Sequence, residues 1–399
     1  MTMKGQLMRY DFDTVVDRNG IHSVKWEVGP EELPMWVADM DFAVAPPIVE
    51  ALAARASVPS FGYTALPDAW ADAVVEWWQS RHAWTMSSGA LAFCTGVNPA
   101  IASVIRTLTP PGGNVLVQTP VYNHFFSAIT NCGRTVVTSP LLYDGLHYEI
   151  DWQDLEAKFA DPSITLFVLC NPHNPTGYCW TTDELSRIGQ LAVANGVVVV
   201  SDEIHCDITH PDVLYTPFAL AAPNCAAIVC LSATKTFSIP GLQTSAVFVN
   251  DATLRESVFA GLGRDGIDEP SSFAVDAAIA AFTKGAEWVD EMRRYVQQNK
   301  DYAATELETM GFHVVPGTAT YLLWVDCANL VGPNGDTTDF CAFLRSHAGL
   351  HVSNGAAFGG PRFFRLNVGC PRALVDEGLS RLRKGMAAWK DRQSADSLA

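Results

Sequence analysis

Short runs rich in Val, Ile, Leu and Phe recur through the middle of the chain, at Asn114–Gln118, Arg134–Thr138, Ile164–Cys170, Gly196–Ser201 and Ala226–Leu231. They lack a regular in/out alternation, so each predicts a strand covered on both faces. Amphipathic segments lie between them. In Trp180–Ala194, Thr181 or Thr182 with Asp183 or Glu184 offers the N-terminal capping that starts a helix. Strands and helices in alternation predict an α/β fold, a mostly parallel sheet flanked by helices. Such sheets bind ligands at the carboxyl ends of their strands.

After about Gly285 the pattern changes. A long polar helical stretch, Trp288–Met310, leads to strand-like Tyr321–Val325 and a helix near Thr338–His347. Strand-like Phe363–Val368 and a helix near Leu374–Trp389 follow. This predicts a smaller α+β domain. The expected division is an N-terminal segment over 1–45, a large domain over 46–285 and a small domain over 286–399. The segment up to Phe42 has no clear element and is expected to wrap over another part of the protein or over a second subunit.

Composition narrows the class. The 399 residues exceed what a single hydrophobic core holds, and 48% hydrophobic with 17% charged residues is the profile of a folded globular protein. A formal net charge of −17 argues against a nucleic-acid partner or an anionic membrane surface, both of which select Lys and Arg clusters. No run approaches the roughly 18 consecutive apolar residues of a membrane span, and Met1–Asp13 lacks the apolar core of a signal peptide. Ten cysteines are scattered without C-x-x-C pairs or His partners at metal-ligand spacing. They read as reduced thiols, and the location expected is cytoplasmic.

Chemistry concentrates where strands end. Leu231-Ser232-Ala233-Thr234-Lys235-Thr236-Phe237 places a lysine just after an apolar strand. A lysine partly removed from water has a lowered pKa and a nucleophilic amine; on its own, a loop lysine is more often a solvated surface charge. Asp202, in Ser201-Asp202-Glu203-Ile204-His205, follows a second strand and is either a carboxylate for a cofactor's ring nitrogen or a capping residue. Asn171-Pro172-His173-Asn174-Pro175-Thr176-Gly177 defines a turn from which Asn174 can aim an amide N–H at a ring oxygen. Thr95-Gly96-Val97-Asn98-Pro99 opens a helix whose free N–H groups suit a phosphate. Arg365 lies in apolar Phe363-Phe364-Arg365-Leu366-Asn367, where an unpaired charge is costly. A carboxylate ligand or an internal salt bridge would each account for it.

Taken together, Asn174-Pro-Thr-Gly, Asp202-x-x-His205, Ser232-x-x-Lys235 and Arg365 resemble fold type I of the pyridoxal-phosphate enzymes, the aspartate aminotransferase superfamily, over nearly the whole chain from about Met8 to Gly385. The strings Leu33-Pro-Met-Trp-Val-Ala-Asp-Met-Asp-Phe42, Ser201-Asp-Glu-Ile-His-Cys-Asp207 and Ser232-Ala-Thr-Lys-Thr-Phe-Ser-Ile-Pro-Gly-Leu-Gln243 are similar to the MalY/PatB branch of cystathionine β-lyases, as is the opening Tyr10–Arg18.

The resemblance implies pyridoxal 5′-phosphate as cofactor and an amino-acid thioether such as cystathionine as substrate. It makes Lys235 the residue that holds the cofactor aldehyde and later moves protons, and Asp202 the partner of the pyridine nitrogen. Asn174 and His205 face the phenolic oxygen, and Tyr122 stacks on the ring; Lys235, Asp202 and Tyr122 form the catalytic group. Val97, Asn98 and Ser232 are implied phosphate contacts, and Arg365 a substrate carboxylate contact, with Ala38 and Tyr63 also at the substrate. Tyr63 would reach a neighbouring subunit's phosphate, which implies a homodimer. Trp36, Phe42 and Tyr122 are expected to line the site and to tolerate several leaving groups. One departure stands out: eight residues after the lysine, where aminotransferases carry a phosphate-pairing arginine, this chain has Gln243. An aminotransferase shares the chemistry up to removal of the Cα proton, and a regulatory protein-binding role is a further alternative.

Overall fold

The computed structural model describes residues 9–18 and 20–396. Seven strands form the main sheet: β1 (Leu91–Cys94), β2 (Asn114–Thr119), β3 (Thr135–Pro140), β4 (Ile164–Cys170), β5 (Val198–Asp202), β6 (Ala227–Leu231) and β7 (Ser245–Val249). Their order is β1-β7-β6-β5-β4-β2-β3. The pairs β2–β3, β2–β4, β4–β5 and β5–β6 are parallel, whereas β7 runs antiparallel to both β6 and β1. The strands read from the sequence are present within two residues at each end. Two strands of this sheet, β1 and β7, are not among them; β7 is buried throughout and, after Ser245, apolar, and it lies inside the sheet as β4 to β6 do. Its link to β6, residues 232–244, holds only the single turns Ala233–Thr236 and Pro240–Leu242 and brings the chain back antiparallel beside β6.

Helix Thr182–Asn195 begins with the predicted cap. Thr181 accepts from the Glu184 backbone while the Glu184 carboxylate accepts from the Thr181 backbone, a complete capping box. Gly196, in the left-handed region at φ 66°, ends it.

A second sheet is antiparallel throughout, in the order His313–Val314, Leu322–Asp326, Phe363–Asn367, Ser353–Asn354. Helices Ala286–Thr309 and Arg372–Asp396 pack together beside it. The N-terminal segment, without an obvious element in the sequence, contributes a two-residue strand, Leu33–Pro34, paired in parallel with Leu350–His351. Residues 35–42 then run across the second sheet to the carboxyl end of the first. Asn367 fixes their path, its Nδ2 donating to the Val37 and Asp39 carbonyls at 2.6 and 2.7 Å. None of the described helices is long and apolar enough to cross a membrane.

An aromatic layer underlies the lysine loop. Phe237 is fully buried, 5.5 Å from Trp77 and 6.1 Å from Trp288 between ring centroids. A Cβ on Gly285 would collide with the Phe237 ring, so the helix junction at Gly285 admits no side chain.

Candidate active site

The turns after β1, β2, β4, β5 and β6 meet at one edge of the sheet. Adjacent registers hold them there: Cys170 is opposite Asp202, and Asp202 opposite Cys230. A cavity of about 180 Å³ opens at this edge, lined by Gly96, Asn98, Tyr122, Asn174, Asp202, His205 and Lys235 among others.

Lys235 sits on a single helical turn, Ala233–Thr236, capped by the Ser232 hydroxyl. Its Nζ donates to the Ala38 carbonyl. Burial brings the amine down to about 8, with Asp39 opposing the fall and Arg365 adding to it.

Asp202 is 3% exposed, and burial raises its carboxyl to about 7 against the opposing hydrogen bond from the Ile204 backbone at 3.1 Å. No cation lies within ion-pair distance of it among the described residues. A buried carboxylate facing a cavity without a cation of its own suits a cationic ring nitrogen of a ligand.

His205 is also buried, and its Nδ1 has no partner among the described residues. Burial, with Lys235 and Arg365 nearby, holds its pKa down to about 3, so the ring is neutral. Tyr122 faces the same space and accepts from Asn98 Nδ2 at 3.4 Å.

Arg365 is 4% exposed. Its Nη1 donates to Asn174 Oδ1 at 3.0 Å, and Nη2 donates to the Trp36 carbonyl at 2.9 Å. The guanidinium lies 4.5 Å from the centre of the Phe358 ring. No carboxylate within the described residues pairs with it, so an internal salt bridge does not explain its burial. Burial lowers its pKa to about 10, still charged at neutral pH, and a ligand carboxylate would supply the missing charge.

Val97 and Asn98 open helix Val97–Leu108 after Gly96. N–H groups at a helix start have no acceptor within the helix and carry a partial positive charge, which suits a phosphate. Gln243 lines the cavity too, in the left-handed region at φ 51°. Ser232, expected at the phosphate, does not line the cavity: its hydroxyl donates to the Thr244 carbonyl at 2.8 Å and caps Thr234, and the threonines on the cavity wall are Thr95 and Thr234.

Phe42 requires a correction. It is buried against Phe12 and Tyr295, at 5.1 and 5.4 Å between ring centroids, and does not line the cavity. Lys25 anchors the neighbouring Asp41 at 2.6 Å and draws this end of the loop into the core. Ala38 lines the cavity, and Trp36 lines the groove that adjoins it beside Lys235. Tyr63 is fully exposed, beside Phe61 and Phe273 on another surface, and does not enter the cavity of its own chain.

Sequence reasoning missed Cys170, Thr234, Tyr321 and Asp207. Cys170 ends a strand read from the sequence and Thr234 lies within the lysine motif, and both line the cavity. Tyr321 donates to the Ala38 carbonyl at 2.9 Å, a contact between distant segments that leaves no local pattern. Asp207, within a quoted string, accepts from Trp77 Nε1 at 3.0 Å, lies 2.9 Å from His82 Nε2, and accepts from Thr236 Oγ1 at 3.0 Å. Cys206 lies close enough to complete a three-ligand cluster with His82 and Asp207. The carboxylate is already saturated by these donors, and the arrangement reads as an anchor for the residue after Lys235.

These residues fit pyridoxal 5′-phosphate: an amine for its aldehyde, a lone buried carboxylate for its ring nitrogen, a neutral histidine with an unpaired nitrogen, and a helix start for its phosphate. Comparison with known proteins agrees. Residues 37–382 match the family described as aminotransferase class I and II. The chain is 38% identical to cystathionine β-lyase PatB of Bacillus subtilis, over 94% of this chain and all of that protein. It is 33% identical to protein MalY of Escherichia coli, over 95% and 99% of the two chains. Cystalysin from Treponema denticola, solved with a pyridoxal 5′-phosphate cofactor, superposes with a TM-score of 0.90 at 29% identity, over 96% of this chain and 100% of that one.

Proposed function

This chain belongs to the class I and II aminotransferase family, and from that membership and the cavity around Lys235 we propose that it is a pyridoxal-phosphate-dependent carbon–sulfur β-lyase. It converts a cysteine thioether and water into a thiol, pyruvate and ammonia. The single observation that carries the reading is the meeting, in one cavity, of a low-pKa lysine, an unpaired buried aspartate and an arginine without a carboxylate partner.

When bound, the cofactor supplies an aldehyde that condenses with amines and a ring that withdraws electrons from the substrate Cα. The chain does the rest. Asp202 would keep the ring nitrogen protonated, and its depth in the protein would make that charge pairing strong. Asn174 and His205 would bracket the phenolic oxygen, and Tyr122 would stack over the ring. The start of the Val97–Leu108 helix and the Thr234 hydroxyl would hold the phosphate, with Gln243 in place of a charged partner. Arg365 takes the substrate α-carboxylate in its planar fork and so fixes which Cα bond faces Lys235.

Lys235, with a pKa of about 8, has a far larger neutral fraction near physiological pH than an ordinary lysine, and the lone pair of that neutral amine accepts the Cα proton. The Ala38 carbonyl holds this amine beside the Cα. As the proton leaves, the electron pair left on Cα forms a Cα–Cβ double bond while the Cβ–S bond breaks and its pair departs on sulfur, and water hydrolyses the enamine so released to pyruvate and ammonia. A thiolate is a stable leaving group, so the step needs no strong acid at sulfur.

Tyr63, exposed on its own chain, is the residue we assign to the neighbouring subunit's phosphate in a homodimer. The division into segments 1–45, 46–285 and 286–399 accords with the two sheets. A cytoplasmic location accords with ten free cysteines. The role of Lys235 is tested by Lys235→Ala: a folded protein with no thiol release supports the assignment, and full activity sinks it.

A further inference from the structure

A second groove, about 540 Å³, opens beside Lys235 and is lined by Trp36, His124, Arg345, His351, Ser353 and Arg365. Its inner end is fixed by Arg365, whose strand neighbour Ser353 places Oγ 3.4 Å from Nη2. His351 precedes Ser353 by two residues in near-extended chain, so both side chains face the groove about 7 Å apart. The Trp36 indole stacks on the His351 ring at 4.8 Å and 12°. Burial, with Arg345 nearby, holds His351 down to about 4, so this stretch of wall is flat and uncharged.

Arg345 stands beyond it. Its Nε and Nη2 each donate to Glu32 at 3.0 Å, which fixes the fork, while Nη1 has no protein partner among the described residues. A groove thus runs from one arginine, past an uncharged aromatic wall, to a second arginine with a donor to spare and a carboxylate at its side.

We propose that Arg345, held by Glu32, receives the far end of the substrate, so that the departing half of the preferred thioether ends in an α-amino-acid head, its carboxylate on Arg345 and its ammonium toward Glu32. This assignment rests on the β-lyase reading and refines it. An alkyl cysteine fills only the inner end and gains nothing from Arg345.

The test compares L-cystathionine with S-ethyl-L-cysteine, following pyruvate, in the cofactor-loaded wild type and in Arg345→Gln. The expected result is a fall of roughly tenfold in kcat/KM for cystathionine, with S-ethylcysteine turnover retained and so reporting an intact fold. Calorimetric affinity for cystathionine, measured in Lys235→Ala with and without Arg345→Gln, should weaken by a similar factor. An equal fall for both thioethers, or no fall for cystathionine, would overturn the assignment. Absence of pyruvate from both thioethers in the wild type would overturn the lyase reading itself, and the leaving-group assignment with it.

Discussion

The Lys235 amine donates to the carbonyl of Ala38, 197 positions earlier in the chain. The Tyr321 hydroxyl donates to the same oxygen at 2.9 Å. Ala38 is itself held by Asn367, which grips the carbonyls on either side of it. The catalytic amine therefore has a fixed resting place built from three distant parts of the sequence.

Burial lowers the Lys235 pKa from 10.5 to about 8, and only a neutral amine attacks an aldehyde. Capture of pyridoxal 5′-phosphate by cofactor-free protein should accelerate with pH and level off near 8. Between about 8 and 10.5 the unfolded chain holds more protons than the folded one, so this group adds stability as pH rises there. Stopped-flow absorbance across the pH range checks the capture rate; a plateau only near the ordinary lysine value would refute the buried-amine account.

Asp202 carries the opposite linkage. Its folded pKa is raised from 3.8 to about 7, so it costs stability once pH exceeds the unfolded value, fully so above about 7. Asp202→Asn keeps an acceptor for the Ile204 N–H and removes the buried charge. The cofactor-free variant should be more stable than wild type at pH 8 by a few kcal/mol, with the gain shrinking toward pH 4. Turnover should fall by roughly a hundredfold or more, because an amide cannot hold the ring nitrogen protonated. Thermal unfolding and steady-state kinetics read both; a destabilised variant at pH 8 would contradict the argument.

Arg365→Lys replaces a planar fork with a point charge. Asn174 and the Trp36 carbonyl both lose their present donor, and a substrate carboxylate loses paired recognition. A fall in kcat/KM of roughly a hundredfold is expected, about 2.7 kcal/mol, carried largely by KM. Unchanged kinetics would remove Arg365 from the substrate.

Asp207 is held at about 2: burial alone would raise it, but the His82 hydrogen bond and charge, with Arg81 and Trp77, more than reverse this. Its stabilising contribution is complete above 3.8 and is lost as pH falls toward 2. Asp207→Asn should cost about 3 kcal/mol or more in urea unfolding. Because Thr236 loses its anchor beside Lys235, kcat should drop as well. A loss below about 1 kcal/mol would show that the network is not a structural support.

The parallel strands were legible because strands buried on both faces are short and apolar, and the lysine, aspartate and Asn-Pro turns follow them directly. The Thr181–Glu184 cap was legible for the same local reason. What was hidden depends on contacts between distant segments. Nothing near Ser232 says that Thr244 will claim its hydroxyl and turn Thr234 to the cavity. Nothing near Phe42 says that Lys25 will pull Asp41, and Phe42 with it, into the core. Arg365 was ambiguous until its surroundings excluded a carboxylate of this chain.

The central claim is β-elimination from a cysteine thioether, and the direct measurement is incubation of cofactor-loaded protein with L-cystathionine and no keto acid, counting pyruvate and free thiol per active site. The account predicts equal release of the two over many turnovers. No release without a keto acid, with amino-group transfer once one is added, would contradict it and mark the protein as an aminotransferase.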